Sequence, residues 1–153
     1  MSMTELQEAL RIVSEEPNRG LFAGPRDPAL ITAAERALGG SLPPTYREFA
    51  TRLGAGNFGG FEVYGIIDNN FENSSVPNGV WLTLTERIES GLPDNLAIIG
   101  STGDGDYYCI ALASGEESPV ILYQPGLGAD QQRWEQVAQD FGEFLRSGVI
   151  AEL

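Results

Sequence analysis

The chain has 153 residues, 42% of them hydrophobic and 20% charged, a size and balance that fit one domain with a real core. No apolar run approaches the roughly 20 residues a membrane helix needs. Nine basic residues against 22 acidic ones leave a net charge of −13, and all nine are arginines. Such a polyanion repels nucleic acid and anionic membranes, and its field speeds encounter with a basic partner; the plainer alternative is that acidity only maintains solubility. From Val80 onward there are 12 acids and three arginines, a balance of −9, so the acidity concentrates in the second half.

The opening MSMTELQEAL lacks a basic start followed by an apolar run and does not read as a signal peptide, so the expected location is cytoplasmic. Leu6, Leu10 and Val13 fall on one face of an expected helix over residues 4–14, with Ser2 and Glu5 as a capping box and Pro17 as the stop. Residues 18–25 read as a loop. Ile31, Ala34 and Leu38 then recur at helical spacing behind Asp27 and Pro28, and Gly39 and Gly40 end a helix over Pro28–Leu38. After Leu42, Pro43 and Pro44 break the chain, Tyr46, Phe49, Ala50 and Leu53 mark a second helix that stops at Gly54. A glycine-rich turn through Gly54, Gly56, Gly59 and Gly60 leads into an expected strand over residues 61–67.

Residues 68–79, DNNFENSSVPNG, have no periodicity and many turn residues, and read as a long exposed loop. Trp81, Leu84, Thr85 and Ile88 fall at i, i+3, i+4 and i+7. They favour a helix over residues 80–90 capped by Asn78 and stopped by Gly91 and Pro93, against a strand over residues 80–85. Residues 96–99, 107–112 and 120–123 are short apolar runs joined by STGDGD and ASGEES, the pattern of an antiparallel meander covered on both faces. Trp134, Val137, Phe141 and Leu145 predict a closing helix that ends at Gly148. The expected fold is therefore α+β: one domain over residues 1–153, with a mostly antiparallel sheet of about four to six strands flanked by about four to five helices.

This order of pieces resembles the SUKH superfamily, the group of the Smi and Knr proteins. The resemblance rests on a helix with Glu35 before Leu38-Gly39, the Leu42-Pro43 corner, the Tyr46 and Phe49 helix, the glycine turn and the following strand. Gly91-Leu92-Pro93, the later apolar runs and Phe141 to Leu145 extend it over roughly residues 28–147. Within the superfamily the chain looks most like the small bacterial YobK-like branch, whose members are understood as immunity proteins that neutralise a cognate toxin domain. The resemblance implies a non-enzymatic binding module with no cofactor, a protein partner, and a monomer or weak homodimer. It carries no contact residue onto a named position here.

Catalytic signals are weak. Without histidine there is no Ser-His-Asp triad and no usual zinc ligand. Gly54-Ala-Gly56-Asn-Phe-Gly59 spells G-x-G-x-x-G, but a dinucleotide site needs strand, turn and helix, whereas here a helix precedes and a strand follows. Cys109 sits within an apolar strand as core filler. Asp104-Gly-Asp106 is too short for a common calcium loop, and glycine and aspartate are what a hairpin turn selects. A pair of carboxylates in a chain this acidic is no evidence of glycoside hydrolysis.

The better candidates are the acid-bearing loops: Asp68 and Glu72, Asp104 and Asp106, Glu116 and Glu117, and Asp130. Converging, they would pair with arginine and lysine on a basic toxin domain, such as a nuclease. Affinity also needs apolar anchors, for which Phe58 and Phe71 are candidates; Tyr64, within a strand, more readily packs inward.

Overall fold

The computed structural model describes residues 2–113 and 115–153. Among them are five helices: α1 (Ser2–Glu15), α2 (Pro28–Leu38), α3 (Pro44–Leu53), α4 (Gly79–Glu89) and α5 (Phe141–Ala151). A three-stranded antiparallel sheet joins β1 (Gly20–Phe22), β2 (Gly56–Phe58) and β3 (Phe61–Val63) in that order. A four-stranded antiparallel meander joins β4 (Leu96–Ser101), β5 (Tyr107–Ala111), β6 (Val120–Tyr123) and β7 (Gln136–Ala138). The α+β class and the meander are as the sequence implies. No helix among the described residues is long and apolar enough to cross a membrane.

Local chemistry sets most boundaries. Asp27 Oδ1 accepts a hydrogen bond from Ala29 N at 2.8 Å, Pro28 occupies the first turn of α2, and Gly39 closes the helix at φ 87°. Asn78 caps α4 by accepting from Trp81 N at 3.1 Å, which decides residues 80–85 as helix and not strand. The helix α1 already includes Ser2, so Ser2 is not the cap expected of it.

Three segments differ from the sequence reading. Residues 20–22 form β1 within the expected loop, because Leu21 and Phe22 pair with Asn57 and Gly56. The glycine-rich stretch is itself a strand: β2 occupies Gly56–Phe58, only Gly59 and Gly60 turn, and β3 ends at Val63. Beyond it, Tyr64 N donates to Ile99 O at 2.8 Å and Ile66 N to Gly54 O at 3.0 Å, so the chain stays extended but bonds outside its own sheet. The third difference is the closing helix. Residues 136–138 pair with β6 as an edge strand, and Val137 is 41% exposed, so its helical spacing from Trp134 is fortuitous. Asp140 then starts α5 by accepting from Glu143 N at 2.9 Å, and the helix runs on through Gly148. Gly148 does not stop it because the bare Cα receives the Phe61 ring, which any Cβ would strike.

The meander has a core on each face, following the two-residue alternation of strands. Ala97, Ile99, Ile110 and Val120 face the main core, with Leu6 and Leu10 of α1 and an aromatic group of Tyr46, Phe49, Phe141 and Phe144. The Tyr46 and Phe141 rings meet edge to face at 5.0 Å, and Tyr46 Oη donates to Tyr64 O at 2.8 Å. On the opposite face, Leu96, Ile98, Cys109 and Tyr123 pack with Tyr64, Leu82 and Leu92. This second cluster is only partly roofed, leaving Trp81, Tyr107 and Trp134 partly buried at its margin.

The free edge of β4 is covered by α4. Buried Thr83 accepts from Ile98 N through Oγ1 at 2.9 Å and donates to Gly79 O at 2.7 Å. One turn on, Arg87 Nη2 donates to Asp94 O at 2.7 Å and to Leu96 O at 3.3 Å. An exposed edge is a template for unwanted strand pairing, and α4 blunts it. Its orientation, fixed by these bonds, decides which face it shows outward.

Candidate partner-binding surface

The residues that invite catalytic readings have structural partners. Cys109 is fully buried, and desolvation pushes its thiol well above the usual range, disfavouring the thiolate. The glycine segment runs from α3 into β2, the reverse of a dinucleotide loop. Its turn already holds a carboxylate: Gly60 N donates to Glu152 Oε1 at 2.6 Å. Among the described residues no three potential metal-ligating side chains converge.

The seven acids fall into three groups. Successive hairpins of a meander lie at opposite ends, so the β4–β5 turn carrying Asp104 and Asp106 shares an end with the β6–β7 connection carrying Asp130. Asp106 lines a crevice of about 70 Å³ there, beside Arg133, Trp134 and Glu135. Asp104 and Asp130 are exposed. Glu116 and Glu117 sit at the far end. Glu117 takes the capping role for α3 that Pro43 cannot fill: it accepts from Thr45 N at 2.9 Å and from Thr45 Oγ1 at 2.8 Å. Asp68 and Glu72 occupy the loop before α4, where Asp68 Oδ1 shapes a turn by accepting from Asn70 N at 2.9 Å.

Of the two aromatic candidates, Phe58 is 0% exposed and belongs to the core, so no partner reaches it. Its position in β2, rather than in a free turn, is the reason. Tyr64 is likewise buried. Phe71 is partly buried against the main core and, with Glu72, Leu84, Thr85, Arg87 and Ile88, lines an open groove of about 500 Å³.

The groove lies where the stripe of α4 runs from the core out to solvent at Ile88. The spacing of Trp81, Leu84, Thr85 and Ile88 predicts that these residues face the core. The buried residues are instead Gly79, Val80, Leu82 and Thr83. Gly79 fits against Ile98 O, where a side chain would crowd, and Thr83 bonds the edge of β4; of the stripe, Leu84 and Trp81 stay partly buried against the two cores, and Ile88 is left exposed. Ile88 is consequently 87% exposed, an aliphatic residue at the lip of an apolar groove. Arg87, by contrast, turns its guanidinium inward to the carbonyls of Asp94 and Leu96, and the desolvation this entails lowers its pKa, partly offset by the Asp94 charge. Glu72 is the acid on the groove wall. Periodicity identifies the stripe; only the three-dimensional structure shows that its last residue, Ile88, lies in solvent.

No curated protein matches the chain. The family model described as SMI1-KNR4 cell-wall (SUKH_6) matches residues 28–145, well over half of the 153-residue chain. That span holds every strand except β1, together with α2 to α4 and the start of α5. The chain belongs to the SMI1-KNR4 family of the SUKH superfamily, a family of generally non-enzymatic immunity and binding modules.

Proposed function

We propose that this protein is an immunity module that binds a bacterial toxin domain with a basic surface, a nuclease, in the cytoplasm, and covers its substrate site without catalysing a reaction. Family membership supports a binding module with a protein partner. The net charge of −13 supports a basic one. The exposed Ile88 at the lip of the apolar groove is the observation that carries the reading, because charge gives encounter rate while apolar anchors give lifetime. Phe71, Leu84 and Ile88 serve as anchors and Asp68 and Glu72 as the acidic rim. Asp104, Asp106, Asp130 and Glu116 add steering charge. A stable complex covers about 800 Å² per partner, so the groove forms the centre of a larger contact. A second copy of the chain is a poor occupant, since it would set acid against acid.

The SMI1-KNR4 description also supports a second reading, a regulatory module that recognises a protein or peptide without any toxin. Affinity capture from the native lysate at low and high salt separates the two. The immunity reading expects a basic toxin domain, identified by mass spectrometry, whose activity the purified protein abolishes and whose capture falls with salt. Recovery of only neutral or acidic, salt-tolerant partners overturns it in favour of the regulatory module.

A further inference from the structure

Between the last turns of α1 and the end of α3 lies a second open groove, of about 460 Å³, with Leu10, Val13 and Leu53 in its apolar lining. It shares no residue with the groove on α4, and the charged residues that line it are both arginines, Arg26 and Arg52. Residues 10–53, which supply the whole lining, hold six arginines and five acids, a balance of +1. The rest of the chain holds three arginines and 17 acids, a balance of −14. Arg11, Arg19, Arg47 and Arg146 are ion-paired, but neither Arg26 nor Arg52 has a carboxylate partner among the described residues. Neutral backbone carbonyls hold the Arg26 guanidinium instead: Nε donates to Pro25 O at 2.9 Å, Nη1 to Ile67 O at 2.7 Å and Nη2 to Ala23 O at 2.9 Å. Those bonds fix the group without cancelling its charge, and leave one N–H on each terminal nitrogen. The hydroxyls of Ser14 and Thr51, also in the lining, donate to Arg11 O and Arg47 O, each at 2.7 Å, so the spare side-chain donors belong to the arginines. Of the neighbouring acids in the chain, Glu15 is bound to Arg11 at 2.8 Å and Asp27 to the first turn of α2. Glu48, one turn before Arg52, makes no ion pair with it.

We propose that this groove docks an acidic segment of a protein partner, with an apolar side chain resting on Leu10, Val13 and Leu53 and a neighbouring carboxylate on Arg26 and Arg52. The contact is separate from the basic partner of the α4 groove and goes beyond that reading. Charge complementarity identifies the occupant, because guanidinium groups take up carboxylates through strong charge-assisted hydrogen bonds and recognise acidic motifs in this way. The near-neutral balance of residues 10–53 also spares an acidic segment the repulsion that the rest of the chain would exert. Small-molecule sites bury most of their ligand, whereas this groove is open, which suits a segment carried by a folded partner better than a free amphiphile. Arg26 is already fixed, so binding has mainly the Arg52 side chain to order.

The test titrates the purified full chain with the peptide acetyl-Glu-Leu-Leu-Glu-amide and follows the backbone amide signals of Thr51, Arg52 and Leu53 by NMR. The expected result is a saturable shift of these signals. The uncharged isostere acetyl-Gln-Leu-Leu-Gln-amide, and acetyl-Glu-Ser-Ser-Glu-amide, which lacks the apolar side chains, should each bind about fivefold more weakly. Arg52→Gln should weaken the acidic probe about fivefold and leave thermal unfolding unchanged, because the side chain is exposed and paired with no acid. An absence of shifts, or equal binding of either control peptide, overturns the acidic-segment site. Tighter binding of octanoate than of the peptide overturns it in favour of a fatty carboxylate. Shifts of the same signals on raising the protein concentration alone overturn it in favour of a second copy of the chain. The basic partner of the α4 groove is absent throughout, so failure here leaves the immunity reading standing.

Discussion

Thr83 Oγ1 accepts the backbone N–H of Ile98 at 2.9 Å, tying α4 to the outer edge of β4. Both groups are buried, so removing the hydroxyl strands a donor away from water. Thr83→Val should cost about 1–3 kcal/mol in urea unfolding. Thr83→Ser, which keeps the oxygen, should recover most of that loss, and an equal loss in both variants would show that the methyl group matters instead.

Glu117 and Glu116 are neighbours with different expected behaviour. Glu117 caps α3 through Thr45, so Glu117→Ala should destabilise by about 1 kcal/mol, the usual worth of a helix cap. Glu116 is exposed, and Glu116→Ala should stay within about 0.5 kcal/mol of the parent. Thermal unfolding of the two variants side by side checks this.

Gly148→Ala tests the seat of the Phe61 ring. Helix propensity alone predicts a gain of about 1 kcal/mol. The added methyl would collide with Phe61, so the expected net result is destabilisation of about 1–3 kcal/mol. Stabilisation would mean that the ring moves aside freely.

Most of the fold was legible because its signals are local. Asp27, Pro28 and Gly39 bound α2 through bonds within a few residues, and Asn78 does the same for the start of α4. What was not legible depends on distant partners. Residues 20–22 and 136–138 become strands only because β2 and β6 offer edges, and Phe58 is buried because β2 is a strand. The same holds for the surface. The acids of the loops are plain in the sequence, but their separation into three groups follows from which hairpins share an end of the meander. The α4 stripe is visible as periodicity, while the seating of α4 through Thr83 and Gly79 against Ile98, which leaves Ile88 exposed, is not.

Acid should loosen the contact between the two terminal helices. Arg146 Nε donates to Glu8 Oε2 at 2.7 Å, and that bond, with the guanidinium charge, holds the Glu8 carboxyl below its ordinary value of 4.5 against a smaller desolvation effect. A depressed carboxylate contributes stability that is present above its unfolded pKa and lost as pH falls through the lower folded value. The contribution should therefore be complete above about pH 5 and fade below 4.5. Glu8→Gln should flatten this part of the stability profile, and an unchanged acid limb would show that other carboxylates govern it.

The account turns on the groove at the exposed Ile88 of α4, and the most direct measurement is the affinity of the captured basic partner for the parent protein and for Ile88→Asp. Ile88 is 87% exposed, so the substitution should leave unfolding within about 0.5 kcal/mol of the parent. Binding should weaken at least tenfold, about 1.4 kcal/mol, mainly through faster dissociation. Unchanged affinity with an intact fold would contradict the claim that this groove is the binding face.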